Sequence, residues 1–87
     1  MKLRQFSALG SRFDRYEFAA GEGLPAHQHD EDHLTLVVSG RIVARSGGKE
    51  IERGPDDTPI LFRAGRMHEI VALDNGTVVL NVFSEAR

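Results

Sequence analysis

Gly21-Glu22-Gly23-Leu24-Pro25-Ala26-His27-Gln28-His29-Asp30-Glu31-Asp32-His33-Leu34-Thr35-Leu36-Val37-Val38-Ser39-Gly40 puts three of the chain's four histidines into one glycine-bracketed segment. Its second half, Leu34 to Val38, is a short run of aliphatic and β-branched residues ended by Ser39-Gly40, which predicts a buried strand. Its first half is broken by Gly21, Gly23 and Pro25 before His27, so that the histidine pair sits just after a turn. His27 and His29 are two residues apart, and in extended chain both imidazoles point to one side. Asp30-Glu31-Asp32 is long enough for a tight turn that brings His33 in on an adjacent strand. The fourth histidine follows Pro59-Ile60-Leu61-Phe62-Arg63-Ala64-Gly65-Arg66-Met67, and His68 can arrive from a neighbouring strand if the sheet rolls over.

Working outward, short apolar runs alternate with turn residues, and nowhere do apolar residues recur at helical spacing over three turns. Phe13 to Phe18 alternates as a half-buried strand does. Arg41 to Arg45 and Lys49 to Arg53 flank Gly47-Gly48, a hairpin signal. Pro59 to Phe62 and Met67 to Leu73 predict two more strands. Asn75-Gly76, suited to a type I′ turn, predicts a hairpin into Thr77 to Phe83. Residues 84–87 read as a loose tail. The sum is an all-β fold, a sandwich or barrel of seven or eight strands. Strand alternation puts Thr35 and Val37 on the face of His33, and Ile70 and Ala72 on the face of His68. The opposite face, Leu34, Leu36 and Val38, is too apolar for solvent, and must meet a second sheet, a second subunit or the N-terminal strand.

At 87 residues the chain has room for one domain, residues 1–87. A domain this small buries only about 60% of the surface its unfolded chain exposes, which makes a homodimer the expected state. No apolar run approaches the roughly 18 residues of a membrane span, and the basic N-terminus is followed by no apolar stretch, so a cytoplasmic protein with no membrane partner is expected. A net charge of −2 with interspersed signs lacks the basic face that nucleic acid requires. Arg12 and Arg15 read as residues of solvated strand faces. Without cysteine, any metal must be held by nitrogen and oxygen.

Four imidazoles can form such a site: His27, His29, His33 and His68. Neutral imidazole binds first-row divalent ions well, and a cage without carboxylate leaves the ion its full charge. Manganese or iron in the divalent state suits these donors in the cell, and nickel, zinc or copper can also load. Taken singly, each histidine is more often a solvent-facing or core side chain than a ligand; it is the joint spacing that points to metal. Should His33 turn aside, Glu31 or Asp32 offers an oxygen donor from the same turn. Tyr16 and Asn81 are candidates to face the pocket, with core packing for Tyr16 and solvent for Asn81 as the plainer alternatives.

Gly21, His27, His29, Gly40, Gly65 and His68 resemble the two motifs of the cupin family, small barrels built as double-stranded β-helices. The resemblance implies ligand positions for His27, His29 and His68, and puts His33 where the family usually has glutamate, as in the cupins with four histidine ligands. Arg63 in place of proline, Asp57-Thr58 in place of a Gly-Asp turn and Ala72 in place of asparagine depart from the second motif but leave Gly65 and His68 in register. The activity implied is that of a dioxygenase or isomerase acting on a small metal-chelating organic ligand. The alternative is a non-catalytic small-molecule or metal-sensing binding module.

Overall fold

The computed structural model describes residues 1–85 and contains strands and turns only. In chain order the strands are β1 (Lys2–Ala8), β2 (Ser11–Phe18), β3 (Gly23–His27), β4 (His33–Ser39), β5 (Ile42–Ser46), β6 (Lys49–Arg53), β7 (Ile60–Phe62), β8 (His68–Ala72) and β9 (Thr77–Ser84). They form a five-stranded sheet, β1-β2-β9-β4-β7, and a four-stranded sheet, β3-β8-β5-β6, with every pairing antiparallel. The two sheets close on one core of Phe18, Val37, Ile42, Ala44, Ile60, Phe62, Ile70, Ala72 and Val79. This is the double-stranded β-helix that the motif resemblance implies, and the barrel that the alternating strands predict.

Alternation explains the burial. In β4 His33, Thr35 and Val37 are buried while Leu34 and Val38 are exposed, and in β8 His68, Ile70 and Ala72 are buried. The Gly47-Gly48 hairpin forms as expected, with both glycines at positive φ (59° and 75°) between the paired strands β5 and β6. Pro25 lies in β3, at the edge of its sheet, where a missing amide hydrogen removes no ladder bond.

Several expectations need correction. Asn75-Gly76 makes no hairpin: β8 and β9 belong to different sheets, and the segment is the step between them. The Asn75 side chain instead accepts a hydrogen bond from the Ala20 amide at 2.9 Å, and Thr77 Oγ1 donates to the Asp74 carbonyl at 2.7 Å. Only Gly76 of the pair has positive φ, so the type I′ geometry is absent. The N-terminal residues form β1, a strand unread from sequence, which extends the sheet beyond β2 rather than covering the outer face of β4. Ser84 continues β9; of the tail, residues 86–87 lie outside the described part. Arg12 is no solvated surface residue, because it shares the inward face of β2 with Asp14, Tyr16 and Phe18. No described helix is long and apolar enough to cross a membrane.

Candidate metal centre

β3 and β8 set the first pair of candidate ligands. The β3–β8 register shifts between Leu24 and His27, and after that irregularity His27 stands directly opposite His68. Gly23 permits this close approach: a Cβ there would collide with the carbonyl of Ile70. His29 follows in the loop to β4, where its carbonyl accepts the Gly65 amide at 2.8 Å. Asp32 clamps the same loop, with Oδ1 accepting the Ala64 amide at 2.7 Å and Oδ2 accepting from Arg63 at 3.3 Å. The Ala64 amide and then Arg63 hold the Asp32 carboxyl below its ordinary range. The turn that precedes β8 thus anchors the loop that carries His29.

His33 enters from across the barrel. It begins β4 in the five-stranded sheet, so the adjacent strand expected for His33 is corrected to the facing sheet, whereas His68 does arrive from a neighbouring strand, directly paired with His27. His27, His29 and His68 present ligand nitrogens that all lie within 4.8 Å of one another. The His33 ring lies beside them, with centroids 4.9 Å from His29 and 5.1 Å from His68, but is outside that three-nitrogen group.

The protons follow from the partners. His27 Nδ1 donates to the Pro25 carbonyl at 2.7 Å, and His68 Nδ1 donates to the Arg66 carbonyl at 3.1 Å. A neutral imidazole carries one proton, so both rings turn a bare Nε2 lone pair toward the cage. His27 Nε2 and His29 Nε2 are 3.0 Å apart. Two nitrogens each about 2.1 Å from one ion, at right angles, would stand about 3 Å apart. His68 Nε2 and both nitrogens of His33 are buried without a hydrogen-bond partner. Buried polar atoms are normally satisfied; a shared cation would satisfy His68 Nε2 and one nitrogen of His33, and the donor set fits a divalent transition ion.

The electrostatics agree. Desolvation, then the neighbouring His27 and Arg12, lowers the pKa of His29. Burial first, then His29, His68, His27 and Arg12, pulls His33 down to about 3. His68 is also lowered, by burial and His27 against the raising effect of its bond to the Arg66 carbonyl. Near neutrality these three rings are unprotonated and able to ligate. Aromatic walls bury two of them: Phe62 stacks on His68 at 4.1 Å, and Phe83 stacks on His33 at 4.6 Å, while His29 is only half-buried.

The other candidates resolve individually. Asn81 points inward and is buried, with Oδ1 accepting the Thr35 hydroxyl at 2.7 Å. Tyr16 is half-buried, stacked on Phe18 at 5.7 Å against the core. Glu31 lies 3.8 Å from Arg12, and the Asp32 oxygens are taken by Ala64 and Arg63. Sequence reading missed Asp32 as a loop clamp and Arg12 as an inward cation; the one available signal was the even-numbered spacing of Arg12 with Asp14, Tyr16 and Phe18.

The cupin-domain family model matches residues 14–83, most of the chain and the whole cage. The chain is a cupin. Among solved structures this cupin is similar to KdgF from a Halomonas species, with TM-score 0.86 and 24% identity over 98% of this chain and 78% of that one. A cupin superfamily protein from Desulfitobacterium hafniense gives TM-score 0.79 and 19% identity over 98% and 79% of the two chains. A Thermus thermophilus protein gives 0.78 and 22% over 95% and 83%. At these identities the cupin shares a fold with them, and fold alone does not choose a function. No curated protein matches the chain.

Proposed function

We propose that this cupin binds one divalent transition ion through His27, His29, His68 and His33, and acts as a dioxygenase or isomerase on a small metal-chelating organic substrate. The observation that carries the reading is the convergence of ligand nitrogens from His27, His29 and His68, with the His27 and His68 rings aimed by backbone carbonyls and His68 Nε2 buried without a hydrogen-bond partner. His33, whose ring lies beside the three, is the proposed fourth donor. When bound, such an ion supplies Lewis acidity and a template for a chelating substrate, and iron or manganese adds access to dioxygen. The chain's part is to hold the ligand tautomers through the Pro25 and Arg66 carbonyls, and to exclude water with Phe62 and Phe83.

One observation favours a second reading, a non-catalytic binding module. Beside the cage Thr35 and Asn81 are hydrogen-bonded to each other, and the buried carboxylate of Asp14 is held by Gln5 at 3.1 Å. No freely placed general base stands out among these groups. The deciding experiment loads the protein with iron(II) or manganese(II) and follows oxygen uptake and proton NMR with glycolate, acetylacetone and catechol. Turnover lost in His68→Ala supports the enzyme; tight binding without turnover supports the module.

The functional unit in this reading is a homodimer. On the outer face of the five-stranded sheet the register aligns Phe6, Phe13, Val82, Leu34 and Leu61 in one row across all five strands. Phe6, Leu34 and Leu61 are 51%, 41% and 48% exposed, a continuous apolar row that a monomer would leave in water.

A further inference from the structure

The barrel is open along one seam. β6 ends the smaller sheet and β7 ends the larger one, and these two edges are not hydrogen-bonded to each other. A cavity of about 170 Å³ lies at the seam, walled by core-facing side chains: Ser46 and Ile51 from the smaller sheet, Ile60 and Phe62 from β7. In both sheets it sits one strand beyond the imidazole cluster, because Ser46 is the register partner of His68 and Phe62 that of His33. The Phe62 ring stacks on His68 at 4.1 Å, and so stands between the cavity and the cluster. The two sites are therefore separate.

Two exposed arginines, Arg63 and Arg66, form the rim of this cavity. Arg63 is held by Asp32 at 3.3 Å, whereas the Arg66 guanidinium has no ion pair or hydrogen bond among the described residues. No carboxylate side chain lines the cavity. On β6 the neighbours of Ile51 on the core face are Lys49 and Arg53, opposite Ser46 and Ile42. Glu50 and Glu52 turn to the other face, where they pair with Arg45 at 3.0 Å and Arg41 at 3.6 Å. The seam is thus apolar within and cationic around.

We propose that the seam is a binding site for small apolar monocarboxylates, with the hydrocarbon part on Ile51, Ile60 and Phe62 and the carboxylate on Arg66. The planar donor fork of a guanidinium suits a carboxylate. Arg63, already engaged by Asp32, adds charge without a free fork. The volume is below the roughly 300–1,000 Å³ of drug-sized pockets, which limits the occupant to about one ring or a short branched chain with its acid group. This site goes beyond the metal-binding reading, and it stands whether or not the histidines carry an ion.

The test is an NMR titration of isotope-labelled, chelator-treated protein at neutral pH with three probes. Benzoate carries both features, benzyl alcohol keeps the ring without the charge, and acetate keeps the charge without the ring. Benzoate shifts the amide signals of Ile51, Ile60, Phe62 and Arg66, and the ring signals of the stacked pair Phe62 and His68. Benzyl alcohol and acetate each bind at least about threefold more weakly. Arg66→Gln raises the benzoate Kd by about threefold or more and Arg66→Glu by about tenfold or more, while benzyl alcohol changes by less than about twofold in either. Both changes are at an exposed side chain. Should either variant fail to fold, a salt titration of the wild-type protein gives the same answer, because benzoate binding weakens with ionic strength and benzyl alcohol binding does not. Benzoate shifts that map elsewhere, acetate or benzyl alcohol binding as tightly as benzoate, a benzoate Kd unchanged in Arg66→Glu, or one independent of salt would overturn the site and leave the metal reading untouched.

Discussion

His33 holds two nitrogens in a dry pocket with no hydrogen bond to either. An unfilled site of this kind costs stability, since each buried unsatisfied polar group is unfavourable by about 1–3 kcal/mol. It also refuses protons. His29, His33 and His68 have lowered folded-state pKa values, His33 to about 3 against 6.5 for the unfolded ring. Between those two values the unfolded chain binds protons that the folded chain does not, so stability must fall as pH falls. Metal-free protein therefore keeps its full stability above about pH 6.5 and loses it progressively toward pH 3. Thermal melts in the presence of chelator from about pH 7.5 to about 4.5 should show a falling Tm, and His33→Phe should flatten the fall. A Tm independent of pH would contradict the account. Among ligand variants, His68→Ala should abolish metal retention, whereas His33→Ala should weaken it by about tenfold or more as judged by competition with a chelator.

At the scale of the element, position in the sheet matters more than composition. Gly23→Ala drives a methyl group into the Ile70 carbonyl and pushes β3 away from β8, with the His27–His68 pairing next along the ladder. We expect a loss of about 1–3 kcal/mol in urea unfolding, together with weaker metal binding. Thr35→Val separates fold from site: it removes the buried hydroxyl that Asn81 Oδ1 accepts at 2.7 Å. A loss of about 1–3 kcal/mol with unchanged metal content is the expected result. The strands themselves were legible because burial alternates with period two. The inward residues of β4 and β8, and the Gly47-Gly48 hairpin, follow from pattern and turn chemistry. What was not legible was which sheet each strand joins. Asn75-Gly76 has a hairpin's local chemistry, yet Thr77 leaves for the other sheet, because tertiary packing of Thr77 and Val79 in the core outweighs a two-residue preference. β1 escaped notice because every one of its residues is exposed, which leaves no burial period to read. The histidine cluster was visible in the spacing; the inward turn of Arg12 could be read only once β2 had been phased against Phe18.

The whole molecule presents one partly buried histidine cage and one apolar row outside. That row crosses all five strands of the larger sheet, and in the homodimer we propose it would form the contact. Leu34→Glu should convert the dimer to a soluble monomer in light scattering or sedimentation, with the metal content of each chain unchanged; a wild-type monomer at micromolar concentration would refute the dimer. Metal is the claim on which the rest depends. Its most direct measurement is elemental analysis of protein prepared without chelator or metal-affinity steps, alongside His68→Ala and His33→Ala. The account predicts about one divalent transition ion per wild-type chain, none in His68→Ala and a reduced share in His33→Ala. Wild-type protein with no bound transition metal that also takes up none on addition of manganese, iron, nickel or zinc would contradict it.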